Sequence, residues 1–351
     1  MEYLNHYRQC VCVCVNVFTY MHIGYSNLIS IENLFQAWSE FRKGKSKRLD
    51  VQTFERNLED NLFELHQKLK SKIYIHGNYQ SFYVNDPKQR HIHKAKVSDR
   101  VVHHLLYTFL YNLFDKSFIY DSYSCRLNKG THKGMERLGQ FARRVSQNYT
   151  TDCWALKCDI KKFFASVDHK VLLNLLKEKI QDEDIIWLIK QIIDGFYSDK
   201  GKGKGMPLGN LTSQIFANIY LNELDQFVKH KLKVHYYIRY ADDFLFLDCD
   251  KRRLNEYIIT VETFLNDCLK LKLHPGKIIL RKLEWGIDFL GYIVLPYYIL
   301  PRTKTKNRIF EKLKEKVGSE NFNQSLQSYL GYLKHAKSYK ITQNLKTKFG
   351  F

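Results

Sequence analysis

Proline is scarce in this chain, five in 351 residues, so few positions are barred from helix interiors or strand ladders. The eight cysteines form no CxxC pair and no Cys/His set at zinc spacing. That excludes a zinc finger or ribbon and a thioredoxin-like redox centre. A chain of this length builds its core without disulfides, so reduced thiols in a cytoplasm are the expected state. No apolar run approaches the ~20 residues of a membrane-spanning helix, and no membrane partner is expected. The pattern GxxxxGK[ST] is missing, which leaves Gly201-Lys-Gly-Lys-Gly205 as a flexible hairpin tip rather than a phosphate cradle. Internal repeats and low-complexity tracts are absent. Acidic residues are also few: 36 Asp and Glu stand against 56 Lys and Arg, a formal net charge of +20. A field of that sign favours polyanions, nucleic acid above all, although a merely basic soluble protein has the same balance.

The positive charge is clustered. Residues 301–351 hold twelve Lys or Arg against three Glu, and residues 41–48 hold five with no acid. Each run can be a solvated face. Flanking a catalytic-looking centre, the two suggest walls of a nucleic-acid channel. The opening Cys10-Val-Cys-Val-Cys-Val15 is short and lacks a small-residue cleavage site, which argues against a signal peptide. It reads as a β-prone arm, or as sequence ahead of a natural start at Met21.

Periodicity places the elements. Residues 31–70 read as helix, with Leu58, Leu62, Leu65 and Leu69 at three- and four-residue steps. Residues 73–84 read as extended, broken at Gly77-Asn78, and 97–114 as helix. A short apolar strand over 154–160 ends in Asp159. Helices follow over 170–180, capped by Asp168, and over 185–193 and 212–231. Residues 236–247 form a hairpin around Ala-Asp-Asp. A helix over 254–271 and strands over 278–283 and 289–294 follow, and the remainder is mostly helical. The middle thus runs strand, helix, helix, hairpin, helix, strand. That order suits an antiparallel sheet with helices on one face, the ferredoxin-like α+β pattern.

Chemistry centres on Tyr240-Ala-Asp-Asp243. Two adjacent carboxylates between apolar strands repel each other and are poorly solvated. A divalent cation relieves both problems, and magnesium takes carboxylate and phosphate oxygens. A solvated turn is the plain alternative for the tetrapeptide alone. Cys158-Asp159-Ile-Lys-Lys-Phe-Phe-Ala-Ser166 tips the balance, because it places an acid at a strand end 83 residues before Asp242. Neighbouring strands can bring Asp159 beside Asp242 and Asp243, and three such carboxylates can hold the two cations used in phosphoryl transfer. His91, His93, His103 and His104 invite a metal reading, but no Cys or His completes a site, so packing or RNA contact is expected of them.

With these residues in view, the chain from residue 31 onward resembles a reverse transcriptase. Seven segments stand in that family's order: Lys88-Gln-Arg90 to Asp99-Arg100; Tyr123-Ser-Cys-Arg126 with Gly130-Thr-His132; residues 159–169; residues 205–214; Tyr240 to Asp243; Leu273-His-Pro-Gly-Lys277; and Phe289-Leu-Gly-Tyr292. The resemblance implies a right-hand polymerase: an N-terminal extension of uncertain role over 1–30, fingers with part of the palm over 31–150, palm over 151–295 and helical thumb over 296–351. It implies catalysis by Asp159, Asp242 and Asp243, with Lys277 as a general acid for pyrophosphate. It implies two Mg²⁺ ions, replaceable by Mn²⁺, held at Asp159, Ile160, Asp242 and Asp243. Lys88, Arg90, Phe163, Phe164, Leu208, Gly209 and Gln214 are expected to contact the nucleotide. Phe289, Leu290, Gly291 and Tyr292 form the primer grip. Phe164 stands where RNA-making relatives often carry an Asp that accepts the ribose 2′ hydroxyl, so deoxynucleotides are expected to be preferred and an RNA-directed RNA polymerase is disfavoured. Gly209 permits close backbone approach.

Leu208-Gly-Asn-Leu-Thr-Ser-Gln214 resembles the enzymes of diversity-generating retroelements, where many other relatives have Gln and Pro at its two ends. That branch implies error-prone copying of a template RNA and primer into cDNA from dNTPs, with mutations at adenines, and a small basic accessory protein forming a pentameric ring. Fifty-nine residues follow Tyr292, which is expected to suffice for a thumb without maturase, endonuclease or RNase H regions. Retron or phage-defence enzymes share the same core. A catalytically silent RNA-binding scaffold is opposed by the intact Asp159, Asp242 and Asp243.

Overall fold

The computed structural model describes residues 24–85 and 88–350; the expectations for the opening arm and for Met21 fall outside them. Its centre is a four-stranded antiparallel sheet of β3 (Trp154–Asp159), β4 (Tyr237–Tyr240), β5 (Asp243–Asp248) and β6 (Ile279–Lys282), in the order β4-β5-β3-β6. Numbered from β3, that is the 2-3-1-4 arrangement of a ferredoxin-like sheet, as the element order foretold.

Both faces of the sheet are covered. Leu156, Cys158, Tyr237, Phe244 and Phe246 point into one core, shared with α5 (Val97–Phe114), α8 (His169–Lys177), α9 (Glu183–Asp194), α10 (Leu211–Gln226) and α11 (Lys251–Leu269). Ala155, Ile238, Leu245 and Leu247 point into a second core with α6 (Thr131–Val145) and the C-terminal segments. Burial on both sides explains why Phe244-Leu-Phe-Leu247 is an unbroken apolar run instead of an alternation.

N-terminal to the sheet, α1 (Tyr25–Leu28), α2 (Ile31–Arg42), α3 (Leu49–Arg56) and α4 (Leu58–Lys70) precede a hairpin of β1 (Gln80–Asn85) and β2 (Gln89–Lys94). The single helix expected over 31–70 is therefore three. Gly44 at φ +68° sits in the first break, and Asn57, non-helical at φ −122°, separates the last two. Likewise the extended stretch becomes strand only from Gln80 onward. The short α7 (Phe163–Ser166) follows β3, and Asp168 caps α8 by accepting from the backbone N–H groups of Lys170 and Val171.

Past β6, a second small sheet holds β7 (Ile287–Phe289), β8 (Tyr292–Val294) and β9 (Ile299–Pro301), and α12 (Thr303–Lys316), α13 (Phe322–Leu333) and α14 (Tyr339–Phe349) finish the described chain. The one strand expected over 289–294 is instead a tight hairpin. Phe289 pairs with Tyr292 across Leu290 (φ +51°) and Gly291 (φ +90°), the two positive φ values of a type I′ turn, whose twist matches that of the strands.

Candidate active site

Strand register assembles the carboxylates. Asp159 at the end of β3 lies directly opposite Asp243 at the start of β5. Asp242 occupies the turn between β4 and β5, next to Ala241, whose φ is +53°. Asp159 is buried, and Asp242 and Asp243 are half-buried. Burial first, then the charges of Asp243 and Asp159, pushes the Asp242 carboxyl up to about 6. Burial also raises Asp243, which Asp159 raises further and the ammonium of Lys157 opposes.

Lys277 stands in a 3-10 turn, Pro275–Lys277, and places Nζ 2.7 Å from both oxygens of Asp159. The segment that carries it is fastened to the strand: His274 N–H donates to the Asp159 carbonyl at 2.8 Å, and Ile160 bridges Leu273. A cation is thus already seated on one carboxylate. Among the described residues no group of three His, Cys, Asp or Glu side chains is preassembled around a common point. The donor set itself suits divalent ions: three carboxylates meet at one sheet end, and burial together with the neighbouring charges raises the pKa of two of them, a cost that a cation relieves.

The segment over 205–210 is clamped to the β1–β2 hairpin. His93 N–H donates to the Leu208 carbonyl at 2.9 Å, and Asn210 Nδ2 donates to the His93 carbonyl at 3.0 Å. Gly209 has φ +107°, and a Cβ there would lie 2.9 Å from Ile92 Cγ2. Its missing side chain therefore serves the hairpin's close approach. Leu208 and Gln214 are half-buried, Arg90 is half-buried on β2, and Lys88 is exposed before it.

The Met206 N–H reaches the Phe164 carbonyl at 2.6 Å, joining this segment to the turn after Asp159. Phe163 lies in the core against Tyr220, so it shapes the site from behind, while Phe164 is half-buried beside it. Of the four residues expected to form the primer grip, Phe289 and Tyr292 are buried. Tyr292 stacks on Tyr332 of α13 at 4.5 Å and donates to its carbonyl, and Tyr332 returns a hydrogen bond to the Gly291 carbonyl.

The histidines pack. His91 stacks on Tyr83, and His93 lies 4.7 Å from the ring of Phe196. His103, fully buried, joins α5 to the start of α10. Partner chemistry assigns the tautomers. His76 Nδ1–H donates to the Gly77 carbonyl at 2.7 Å. His103 Nε2–H then donates to His76 Nε2 at 3.1 Å, and Thr212 Oγ1 donates to His103 Nδ1 at 2.6 Å. Both rings are neutral in this chain, and burial holds both below the ordinary histidine range. Because the folded pKa values are lowered, the unfolded chain takes up more protons as pH falls below about 6.5, and stability is lost there. Urea denaturation at pH 7.5 and 5.5 is expected to show a loss on the order of 1–3 kcal/mol, shrinking in His103→Gln, which has nothing to protonate. An equal loss in both proteins excludes the pair as its source.

A ferredoxin-like sheet with acids on β3 and at the β4–β5 turn, a flanking hairpin and a C-terminal helical region define a right-hand polymerase. Residues 85–294 match the family described as reverse transcriptase (RNA-dependent DNA polymerase), and the chain belongs to that family. The putative COX1/OXI3 intron 2 protein of Saccharomyces cerevisiae is 22% identical over 302 residues, 67% of this chain and 32% of that protein. The group II intron-encoded protein LtrA of Lactococcus lactis subsp. cremoris is 25% identical over 48% of this chain and 28% of its own length. The retron Ec73 reverse transcriptase of Escherichia coli is 27% identical over 48% of this chain and 59% of that enzyme. The chain thus spans a third or less of the first two relatives. Apo telomerase from Candida tropicalis shares the fold at TM-score 0.51 and 13% identity, over 68% of this chain and 52% of that one. No helix among the described residues is long and apolar enough to cross a membrane.

Proposed function

We propose that this chain is an RNA-directed DNA polymerase that extends a primer along a template RNA, and that it is the adenine-mutagenic enzyme of a diversity-generating retroelement. The observation that carries the polymerase reading is the register that sets Asp159 against Asp243, with Asp242 in the adjoining turn, inside a chain of this family. Asp159, Asp242, Asp243 and the backbone at Ile160 would hold the two metal ions. When bound, such ions supply activation of a primer 3′ hydroxyl and neutralisation of the triphosphate. Arg90 and Lys88 on the hairpin would pair with triphosphate oxygens. Lys277 would leave Asp159 and protonate the departing pyrophosphate. We assign residues 31–150 to fingers, 151–295 to palm and 296–351 to thumb, the last bearing on the primer grip through Tyr332.

The test is primer extension on an RNA template with dNTPs and Mg²⁺, beside the Asp242→Ala/Asp243→Ala double variant. DNA from the wild type alone supports the reading; DNA from both proteins refutes the assignment of the site.

The retroelement reading rests on Leu208 and the residues after it. Leu208 has no side-chain hydrogen bond to offer a nucleotide sugar, so a mispair is less constrained. Leu208→Gln is expected to lower misincorporation opposite template adenine about tenfold, the worth of one hydrogen bond. Equal error rates on sequencing the cDNA would sink that reading. They would favour a retron-type enzyme, which the similarity to the Ec73 reverse transcriptase also supports.

A further inference from the structure

Behind the catalytic turn lies an ion pair with no access to water. Arg239 on β4 and Asp225 on α10 have fully buried side chains. The guanidinium grips the carboxylate with two parallel bonds, Nε to Oδ1 at 2.8 Å and Nη2 to Oδ2 at 2.6 Å. Tyr237 adds its hydroxyl to the same carboxylate at 2.8 Å. The remaining nitrogen, Nη1, turns the other way. It donates to Asn218 Oδ1 at 3.3 Å and to the backbone carbonyl of Ala241 at 3.2 Å.

That carbonyl belongs to an unusual residue. Tyr240 pairs with Asp243, so Ala241 and Asp242 alone make the turn. Ala241 is in the left-handed region at φ +53°, a position that two-residue hairpins commonly give to glycine or asparagine. An L-residue with a Cβ is held there only when its surroundings insist. The peptide that follows Ala241 also carries the backbone nitrogen of Asp242, so the direction of the Ala241 carbonyl and that of the Asp242 side chain are set together.

We propose that Arg239 is a positioning residue for the catalytic turn: anchored by Asp225, it holds the Ala241 carbonyl and thereby aims Asp242. Only arginine suits the place. Its planar fork spends one edge on the carboxylate and has a donor left for the turn, whereas a lysine ammonium satisfies one end at a time. The anchor is equally necessary, because Asp225 sits on the helix that continues from the Leu208–Gln214 segment. The turn is thus referenced to the element beneath the nucleotide. The inference rests on the polymerase reading and adds a residue to it.

The experiment separates positioning from simple structural support. Replacing a buried ion pair with apolar residues of similar size commonly preserves folding, so Arg239→Met/Asp225→Leu is compared with Arg239→Lys and wild type, with circular dichroism and thermal melting to select folded protein. In either folded variant kcat for primer extension is expected to fall ~100-fold, the scale of a small misplacement of a reacting group, while KM for dNTP stays within about twofold. A folded variant of either kind with kcat near that of wild type overturns the proposal and leaves the pair a structural one. If the double variant does not fold, Arg239→Lys decides. Wild-type protein that makes no DNA is a different result: it removes the polymerase reading itself, and this inference with it.

Discussion

The Asp242→Asn protein is expected to make no measurable DNA and yet to melt at a higher temperature than wild type when divalent ions are chelated. Both effects have one cause. In the metal-free fold the Asp242 carboxyl is raised from 3.8 to about 6 by burial and by the charges of Asp243 and Asp159. A carboxyl whose folded pKa is raised contributes its stability below the unfolded value and loses it as pH rises through the folded one. Across pH 3.8 to 6 the folded state therefore sheds stability, and at neutral pH the full cost is present. With the site half-buried, that cost is roughly 1–2 kcal/mol, or about 1–3 °C of melting temperature for a chain of this length. Asn keeps the shape and removes the charge, so the variant recovers this amount. Adding Mg²⁺ should raise the melting temperature of wild type and leave Asp242→Asn nearly unmoved, because a ligand stabilises only the state that binds it. Activity should fall on the order of 10³-fold or more, the worth of losing several kcal/mol of charge stabilisation at the reacting phosphate. A melting temperature equal to wild type in chelator, or an unchanged response to Mg²⁺, contradicts the electrostatic account of the site.

That account was partly legible in the chain itself. The strand-helix-helix-hairpin-helix-strand order around Asp159 and Asp242 already implied the ferredoxin-like sheet, because each element announces itself by local periodicity. What periodicity reports is a buried face, not the partner that buries it. So Phe163 and Phe164 read alike as consecutive aromatics, and only packing shows that the first belongs to the core with Tyr220. The turn at Leu290-Gly291 was hidden because Leu at φ +51° breaks the usual residue preference. The His76–His103–Thr212 chain, whose successive partners stand 27 and 109 positions apart, follows from no spacing rule. Arg239 had a signal that went unread: an arginine within Tyr236-Tyr-Ile-Arg-Tyr240, in a strand otherwise apolar and aromatic, must find an acid or leave a buried charge bare. Which acid it finds depends on where α10 crosses the sheet.

The second large effect is expected at Phe164. Its backbone is anchored and its ring is packed on one side. The Phe164 carbonyl is held by the Met206 N–H, and its ring meets Phe163 edge-on at 5.2 Å. Phe163 in turn packs on Tyr220, whose hydroxyl donates to the Leu269 carbonyl at 2.7 Å. A half-buried ring seated in this way, five residues after Asp159, is expected to exclude a 2′ hydroxyl by shape. Phe164→Ala removes the obstacle and should raise kcat/KM for ribonucleotides ~100-fold relative to deoxynucleotides, close to the 3 kcal/mol that a steric misfit in a tight pocket supplies. Deoxynucleotide incorporation itself should change less than about tenfold, because the carbonyl that anchors Met206 is retained. Phe163→Ala is the matched control. It opens a cavity in the core and should cost roughly 3–5 kcal/mol of stability, but leave sugar selectivity where it was. Competition between one dNTP and its ribonucleotide on an RNA template measures the ratio directly. If Phe164→Ala discriminates as wild type does, the ring is packing alone and the choice of sugar is made by another residue.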